Sequence, residues 1–364
     1  MKKAIVLLAM FLIVFVSVFM FCSRKSEAAS ANDLATAFEA TGTTSSSYSG
    51  NAQANSVMNA FGNIAPRQGS TFAVLSTGIA QAGNPSDDDN GTDFDPPGSP
   101  DGDATTLTLN FTVPSGMNSL LFDFYFLSIE YPVFVGFAYN DTFTATITGS
   151  SKVANGTNFA KDTDGHTIDI NSVNFAVGET HNDLKDTAFQ GHGGTGWLIA
   201  AAPVAAGDNI SLAFHVEDVE DGVYDSTALL DNFRFDQGEF AAGVQSGYFF
   251  SQSSVNITNC TGGATLNLYS ATVVRSTTTV DIGNSNPNVL ALSTNQLTIP
   301  AYQSKTSENL VIQGLKNGSV TLTASGAGIG LGRVTVNVSG CPTLPDTGSN
   351  KTNLIQLVSG SLPI

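Results

Sequence analysis

"FYFLSIEYPVFVGFAYNDTF", residues 124–143, decides the fold of this chain. Most of its positions are apolar or aromatic, yet it carries Glu130, Asn140 and Asp141. A buried ionised carboxylate is costly unless it is paired or coordinates a cation. Glu130 and Tyr131 lead into Pro132, and a residue before proline is biased to extended or turn geometry. The stretch therefore reads as a strand ending near Ile129, a corner, and a second strand opening at Asn140–Asp141. The acids bracket the apolar segment at its loop end, where a shared cation or backbone amides hold them.

The same texture extends outward. "TFAVLSTG", "ATTLTLNFTVP", "SLLFDFYFLSI", "DTFTATITG", "HTIDINSVNF", "GWLIAAAPV", "ISLAFHVEDV" and "ALLDNFRF" are short, β-branched or aromatic, and bounded by Gly, Asn, Asp or Pro. Two helix candidates, "NDLATAFEA" and "NAQANSVMNAFG", precede them, and no long amphipathic helix interrupts them. Many short strands without crossover helices predict an all-β fold, a jelly-roll-like antiparallel β-sandwich over residues 32–237. A linker is expected at 238–254. A second strand series over 255–341 predicts an Ig-like β-sandwich, and 342–364 a disordered tail.

The chain has 364 residues, 31 acids against 14 bases, and a net charge of −17. Lys2 and Lys3 precede an uncharged apolar run from Ala4 to Cys22 and then the small-residue stretch Ala28-Ala29-Ser30-Ala31, so residues 1–31 read as a signal peptide or, uncleaved, an N-terminal anchor. Cleavage there would leave 10 bases against 30 acids. So acidic a chain repels nucleic acid and anionic membrane, so membrane contact is expected only through the N-terminal segment; divalent cations are attracted. Cys260 and Cys341 are expected to pair in an exported protein and to tie the first strand of the second unit to its last.

Two acidic loops are candidate calcium sites. "SDDDNGTDFD", residues 86–95, gathers Asp87, Asp89, Asp93 and Asp95 without the EF-hand pattern. The other joins Glu130, Asn140 and Asp141 with the "EDVEDGVYD" loop, in which Asp221 and Asp225 stand, and with Asp231. Period-two alternation in "ALLDNFRF" sets Asp231 beside Phe233 and Phe235 on the core face. A carboxylate there needs a cation, an arginine or a hydrogen-bonded corner. The alternative for the first loop is solvated charge.

Catalytic signatures are absent from the sequence. His166, His181 and His192 lack zinc spacing, no nucleophile motif appears, and Trp197 lies among apolar flanks that suggest core. "LPDTG" at 344–348 matches a sortase pattern but lacks the apolar span and basic end that would retain it in a membrane.

Three blocks resemble the L-type choice-of-anchor β-sandwich family of bacterial surface proteins: "FAVLSTGIAQAGNP", the 124–143 stretch with its E-Y-P corner and N-D-x-F, and "GWLIAAAPVAAGDNISLAFHVEDVEDGVYDSTALLDNFRF". Ile129 stands where that family has a first corner Glu, which leaves Glu130 alone there. "NVLALSTNQLTIPAYQS" and "GSVTLTAS" resemble a bacterial Ig-like domain. These resemblances imply a modular surface protein, and neither implies catalysis. With the export signal, the expectation is a non-enzymatic, exported structural or adhesive protein of the cell surface or extracellular space, and the carboxylate clusters add the expectation of calcium-stabilised loops. A carbohydrate-binding module is the alternative, and the expected partner is a glycan or protein ligand, or a second copy.

Overall fold

The computed structural model describes residues 28–81, 92, 94, 103–175, 182–219, 224–260, 262–326 and 329–342. The N-terminal apolar run, Asp87, Asp89, Asp93, Asp95, Asp221 and the 344–348 motif lie outside them. The first helix candidate forms α1 (Ala31–Ala37), opened by a capping box in which Ser30 and Asp33 satisfy each other's amides. The second does not form. Residues Ala52–Ala54 make one 3-10 turn and the chain then turns extended, because Val57 and Met58 pair with a neighbouring strand instead of closing a helical stripe.

The first unit contains β1 (Thr43–Ser49), β2 (Asn55–Met58), β3 (Phe72–Ser76), β4 (Ala104–Thr112), β5 (Ser119–Ser128) and β6 (Thr142–Thr148). It continues with β7 (Thr157–Asn158), β8 (Ile168–Asp169), β9 (Gly193–Gly194), β10 (Leu198–Pro203), β11 (Asn209–Glu217), β12 (Ser226–Asp236) and β13 (Gly243–Val244). One antiparallel sheet runs β1-β4-β11-β6-β7 with β8 on β6. The other runs β13-β10-β5-β12-β3-β2 with β9 on β5.

The first sheet alternates strictly. Leu107, Leu109 and Phe111 of β4, Phe143, Ala145 and Ile147 of β6, and Ile210, Leu212, Phe214 and Val216 of β11 all enter the core. The intervening residues, mostly Thr, Ser and Asn, face water, as period-two geometry requires of a sheet buried on one side. The second sheet is different: every residue of β5 is buried. Leu120, Phe122, Phe124 and Phe126 enter the main core, Tyr125 and Leu127 pack outward under Phe61, Ile64, Phe189 and Trp197, and Leu121 packs against Tyr269 and Ala271. Two covered faces explain why the sequence of β5 has no polar alternation.

β12 departs from the expected phase. Its register against β5 slips between Asp231 and Arg234, and Asn232 takes a left-handed φ of 56°. This extra residue is a bulge that inverts the side-chain phase. Phe233 and Phe235 therefore face the main core while Asp231 faces the opposite side, toward Asp123.

The second unit contains β14 (Tyr248–Phe250), β15 (Ser254–Ile257), β16 (Gly263–Leu266), β17 (Leu268–Ser270) and β18 (Thr278–Asn284). β19 (Leu290–Leu292), β20 (Gln296–Ile299), β21 (Leu310–Gly314), β22 (Gly318–Gly326) and β23 (Ile329–Val338) complete it. A five-stranded sheet β15-β23-β22-β18-β20 stands with a three-stranded sheet β16-β21-β19 and the pair β14-β17 around its own apolar core. Cys260 and Cys341 form a disulfide, with Cα atoms 4.9 Å apart, just beyond the parallel pair β15 and β23. The stretch 238–254 is not a free connector: β13 adds to the first unit through β10, and β14 pairs within the second.

Phe122 is the hub of the main core, with ring centroids of Phe38, Phe124, Phe159 and Phe214 between 5.1 and 5.9 Å away. Removing a fully buried ring loses its transfer energy and leaves a cavity. Phe122→Ala should cost about 3–5 kcal/mol in denaturant unfolding, whereas Phe137→Ala on the surface should stay within about 0.5 kcal/mol.

Candidate functional site

One end of the first sandwich collects carboxylates where β5 hands over to β6 and β11 to β12. Glu130, buried two residues beyond β5, accepts the Asp141 N–H at 3.2 Å on Oε2. Asp141, buried just before β6, accepts the Val219 N–H at 3.0 Å and the Ser226 hydroxyl at 2.7 Å. It therefore fastens the start of β6 to the β11–β12 connection. Asp225 accepts the Thr92 N–H at 2.9 Å and lies over Gly78, where a Cβ would meet its Oδ2 at 1.9 Å. Any larger residue at 78 would have to displace that carboxylate.

Asp218 completes the group. It is 3% exposed, and neither carboxylate oxygen makes a well-formed hydrogen bond. Burial, and then the charge of Asp141 beside it, push its carboxyl well above the ordinary range. The sequence carried a signal for both residues: the inward phase Val216, Phe214, Leu212 of β11 extends to Asp218, and the inward phase Ile147, Ala145, Phe143 of β6 extends back to Asp141. Each is a carboxylate placed at a core position. Among the described residues no three carboxylates, imidazoles or thiols converge as a ready-made metal site.

Of the residues expected at this end, Glu130, Asp141 and Asp225 are brought together. Asn140 is half-buried and turns aside, donating to Asp169 at 2.6 Å and accepting from Asn171 at 2.7 Å. Asp231 is elsewhere, in a second carboxylate centre on the outer face of β5 and β12.

That centre is built around Arg67. Its guanidinium lies 2.9 Å from the carboxylate of Asp123, which is fully buried, as a charge contact rather than an aligned hydrogen bond. Arg234 reaches the other Asp123 oxygen at 3.1 Å, and Asn232 donates to the same carboxylate at 3.2 Å. Asp231 accepts the backbone N–H groups of Arg67, Gln68 and Asn232. It is a hydrogen-bonded corner. From the second unit, Ser304 accepts a hydrogen bond from Arg67 at 2.6 Å, the Tyr269 ring lies 4.2 Å from its guanidinium carbon, and the Tyr269 hydroxyl donates to its carbonyl. Sequence reading missed Arg67, because a lone arginine in "APRQGS" carries no pattern.

Glu39 also borders Asp231. Burial, then a hydrogen bond and the charge of Asp231, push Glu39 up to about 9, and burial pushes Asp231 up to about 6. Glu39 therefore keeps its proton at neutral pH and donates a hydrogen bond through it to Asp231. A raised native value means the folded state holds a proton that the unfolded chain releases near 4.5, so stability falls as pH rises from there to about 9. Asp123, Asp231, Arg67 and Arg234 are the charged groups around it. Glu39→Gln should flatten this slope in melting temperature measured between pH 5 and 9, and an unchanged slope would assign it to other groups.

The described histidines take local roles, and His181 lies outside the described residues. His192 contacts the Tyr131 carbonyl, His215 contacts Thr106 and Glu217, and His166 is exposed beside Asp162. Trp197 is buried against Phe72 and Tyr125, as its flanks suggested.

No curated protein matches the chain. Solved structures share short stretches of β architecture with it at low overlap. A carbohydrate-binding module, CBM61, in complex with β-1,4-galactotriose is 11% identical over 54% of this chain and 92% of its own, with a TM-score of 0.28. Domains 4 and 5 of the S-layer protein SbsC are 16% identical over 29% of this chain and 63% of theirs, at 0.21. A C. elegans MSP family member is 15% identical over 26% of this chain and all of its own, at 0.22. The family comparison is specific: a model of the Choice-of-anchor L domain matches residues 32–236, which span the first sandwich from α1 through β12 and take in both carboxylate centres. With more than half of its length matched, the chain belongs to the Choice-of-anchor L domain family.

Proposed function

We propose that this protein is an exported, non-enzymatic module of the cell surface or extracellular space, structural or adhesive in role, whose first sandwich presents binding loops at one end and whose second unit acts as a spacer. The observation that carries this reading is the family match, which covers the first sandwich from α1 through β12. The apolar N-terminal run with its basic start supports export. The second unit, an Ig-like spacer in this reading, has a disulfide that suits an oxidising compartment.

Calcium at the carboxylate end is the finer part of the proposal. The donors there are hard oxygens, which suit calcium rather than zinc. Support comes from Asp218: a buried carboxyl that faces Asp141, with the Thr77 hydroxyl near it but no well-aligned donor on either oxygen, takes either a proton or a cation. Asp141 and Asp218 would hold the ion, with Glu130 and Asp225 close by, and the ion would rigidify the loops between the strands.

The glycan reading has less behind it. A stacking platform needs rings on an accessible sheet face. The outward positions of β4, β6 and β11 carry Thr106, Thr108, Asn110, Thr144, Thr146, Ser211 and His215, without an aromatic ring other than the imidazole.

The test is the melting temperature of the exported protein with calcium and with EDTA. A ligand binding only the native state at a hundredfold excess over its Kd stabilises by about 2.7 kcal/mol, a rise of several degrees. Asp218→Asn should abolish the calcium response while leaving the EDTA value nearly unchanged, because without a cation the buried carboxyl holds a proton and is uncharged, as the amide is. An identical melting temperature in both buffers would contradict calcium binding and leave Asp218 as the protonated partner of Asp141.

A further inference from the structure

Large apolar side chains that remain exposed are concentrated at one place. Val133, Val135, Phe137 and Tyr139 all lie in the connection between β5 and β6, with Val133 68% and Phe137 64% exposed. Exposed Val173 stands in the neighbouring turn, whose Asn171 accepts the Gly136 N–H at 2.7 Å. From Tyr131 to Tyr139 no side chain is charged. Scattered apolar residues on a surface are ordinary, whereas a contiguous group marks an interaction site.

The connection is a formed knob. The Phe134 N–H donates to the Glu130 carbonyl at 3.0 Å and the Phe137 N–H to the Phe134 carbonyl at 2.9 Å. Half-buried Phe134 supports the tip from beneath, its ring 6.3 Å from Phe137, 5.4 Å from Tyr139 and 5.5 Å from Tyr224. Glu130 and Asp141 anchor both ends through the hydrogen bond between them.

The knob shares its end of the sandwich with the start of the described chain. Ala28 lies beside Gln53, Ile79 and Gln81, which follow the ends of β1 and β3. The end of β1 pairs where β4 begins, next to the end of β11 and the start of β6, and the end of β3 pairs with the start of β12, which lies against the end of β5. Between the apolar run Ala4–Cys22 and Ala28 stand only residues 23–27, which span at most about 20 Å. Any bilayer that receives the N-terminal run therefore lies close to the knob.

We propose that Pro132–Tyr139 is a lipid-seating surface: the Val133, Val135 and Phe137 side chains enter the outer part of a neutral bilayer, with Tyr139 at the headgroup level. Charge decides against an anionic surface and against a second copy. The net charge of −17 repels an anionic surface and equally repels a second copy, and the knob offers no basic residue to offset it. A convex, uncharged, aromatic-bearing tip suits the interface of a zwitterionic membrane.

Phe137→Trp in the full chain places an indole at the tip, with buried Trp197 of the parent protein as the reference. The protein is mixed with phosphatidylcholine vesicles with and without brominated acyl chains. The added indole should shift to the blue and be quenched by the brominated lipid, the Trp197 emission of the parent should not, and Val135→Asp combined with Phe137→Trp should lose the quenching. An indole that stays unquenched overturns the proposal. So does an indole shielded without lipid as protein concentration rises, which would assign the knob to a second copy.

Discussion

The contact between Arg67 and Asp123 sets the architecture of the whole chain. Asp123 sits in the middle of β5, on the face turned away from the main core, where an apolar residue would be the ordinary choice. Leaving that carboxylate buried and alone would cost several kcal/mol, so a cation has to reach it. Arg67 and Arg234 both do, and Arg67 is itself enclosed by Tyr269, Ser270 and Ser304 of the second unit. The charge in the first sandwich is therefore neutralised only inside a surface that the second unit helps to close. Around it, Ile199 donates its N–H to the Ala271 carbonyl at 3.1 Å, and Leu121, Ile199 and Ala201 pack on Tyr269 and Ala271.

This arrangement leaves the faces of the first sandwich with different surroundings. The middle of its second sheet is committed to the other unit, and its first sheet presents a polar face of small hydroxyl and amide side chains. Among the described residues, the exposed large apolar side chains of this sandwich are concentrated at the end where β5 meets β6. Buried Asp141 and Glu130 hold the base of that connection, and the apolar tip projects from it. Carboxylates and exposed rings thus belong to one construction: the acids order the loop, and the loop displays the rings.

Much of the fold was legible in the sequence because one-sided burial imposes alternation. β4, β6 and β11 read directly from it, and so did the disulfide that closes the second unit. Legibility failed where a residue answered to something other than its neighbours in sequence. The bulge at Asn232 inverted the phase of β12, so Asp231 was assigned to the core face when it belongs to the outer one. Residues 51–62 looked helical until pairing with β3 drew part of them into a strand. Arg67 was invisible, since its importance comes from Asp123, Asp231 and Tyr269, each far away along the chain. The 130–141 corner was recognised as a loop with acids at its base, but its burial and its exposed tip depend on three-dimensional neighbours such as Ser226 and Asn171.

Calorimetric unfolding of the full chain, compared with Arg67→Ala, tests the central claim most directly. If Arg67 binds the two units into one cooperative body, the wild type unfolds in a single transition, and the substitution splits it into two, with the smaller unit melting on its own. Two resolved transitions in the wild type, or one unshifted transition in Arg67→Ala, would contradict the account.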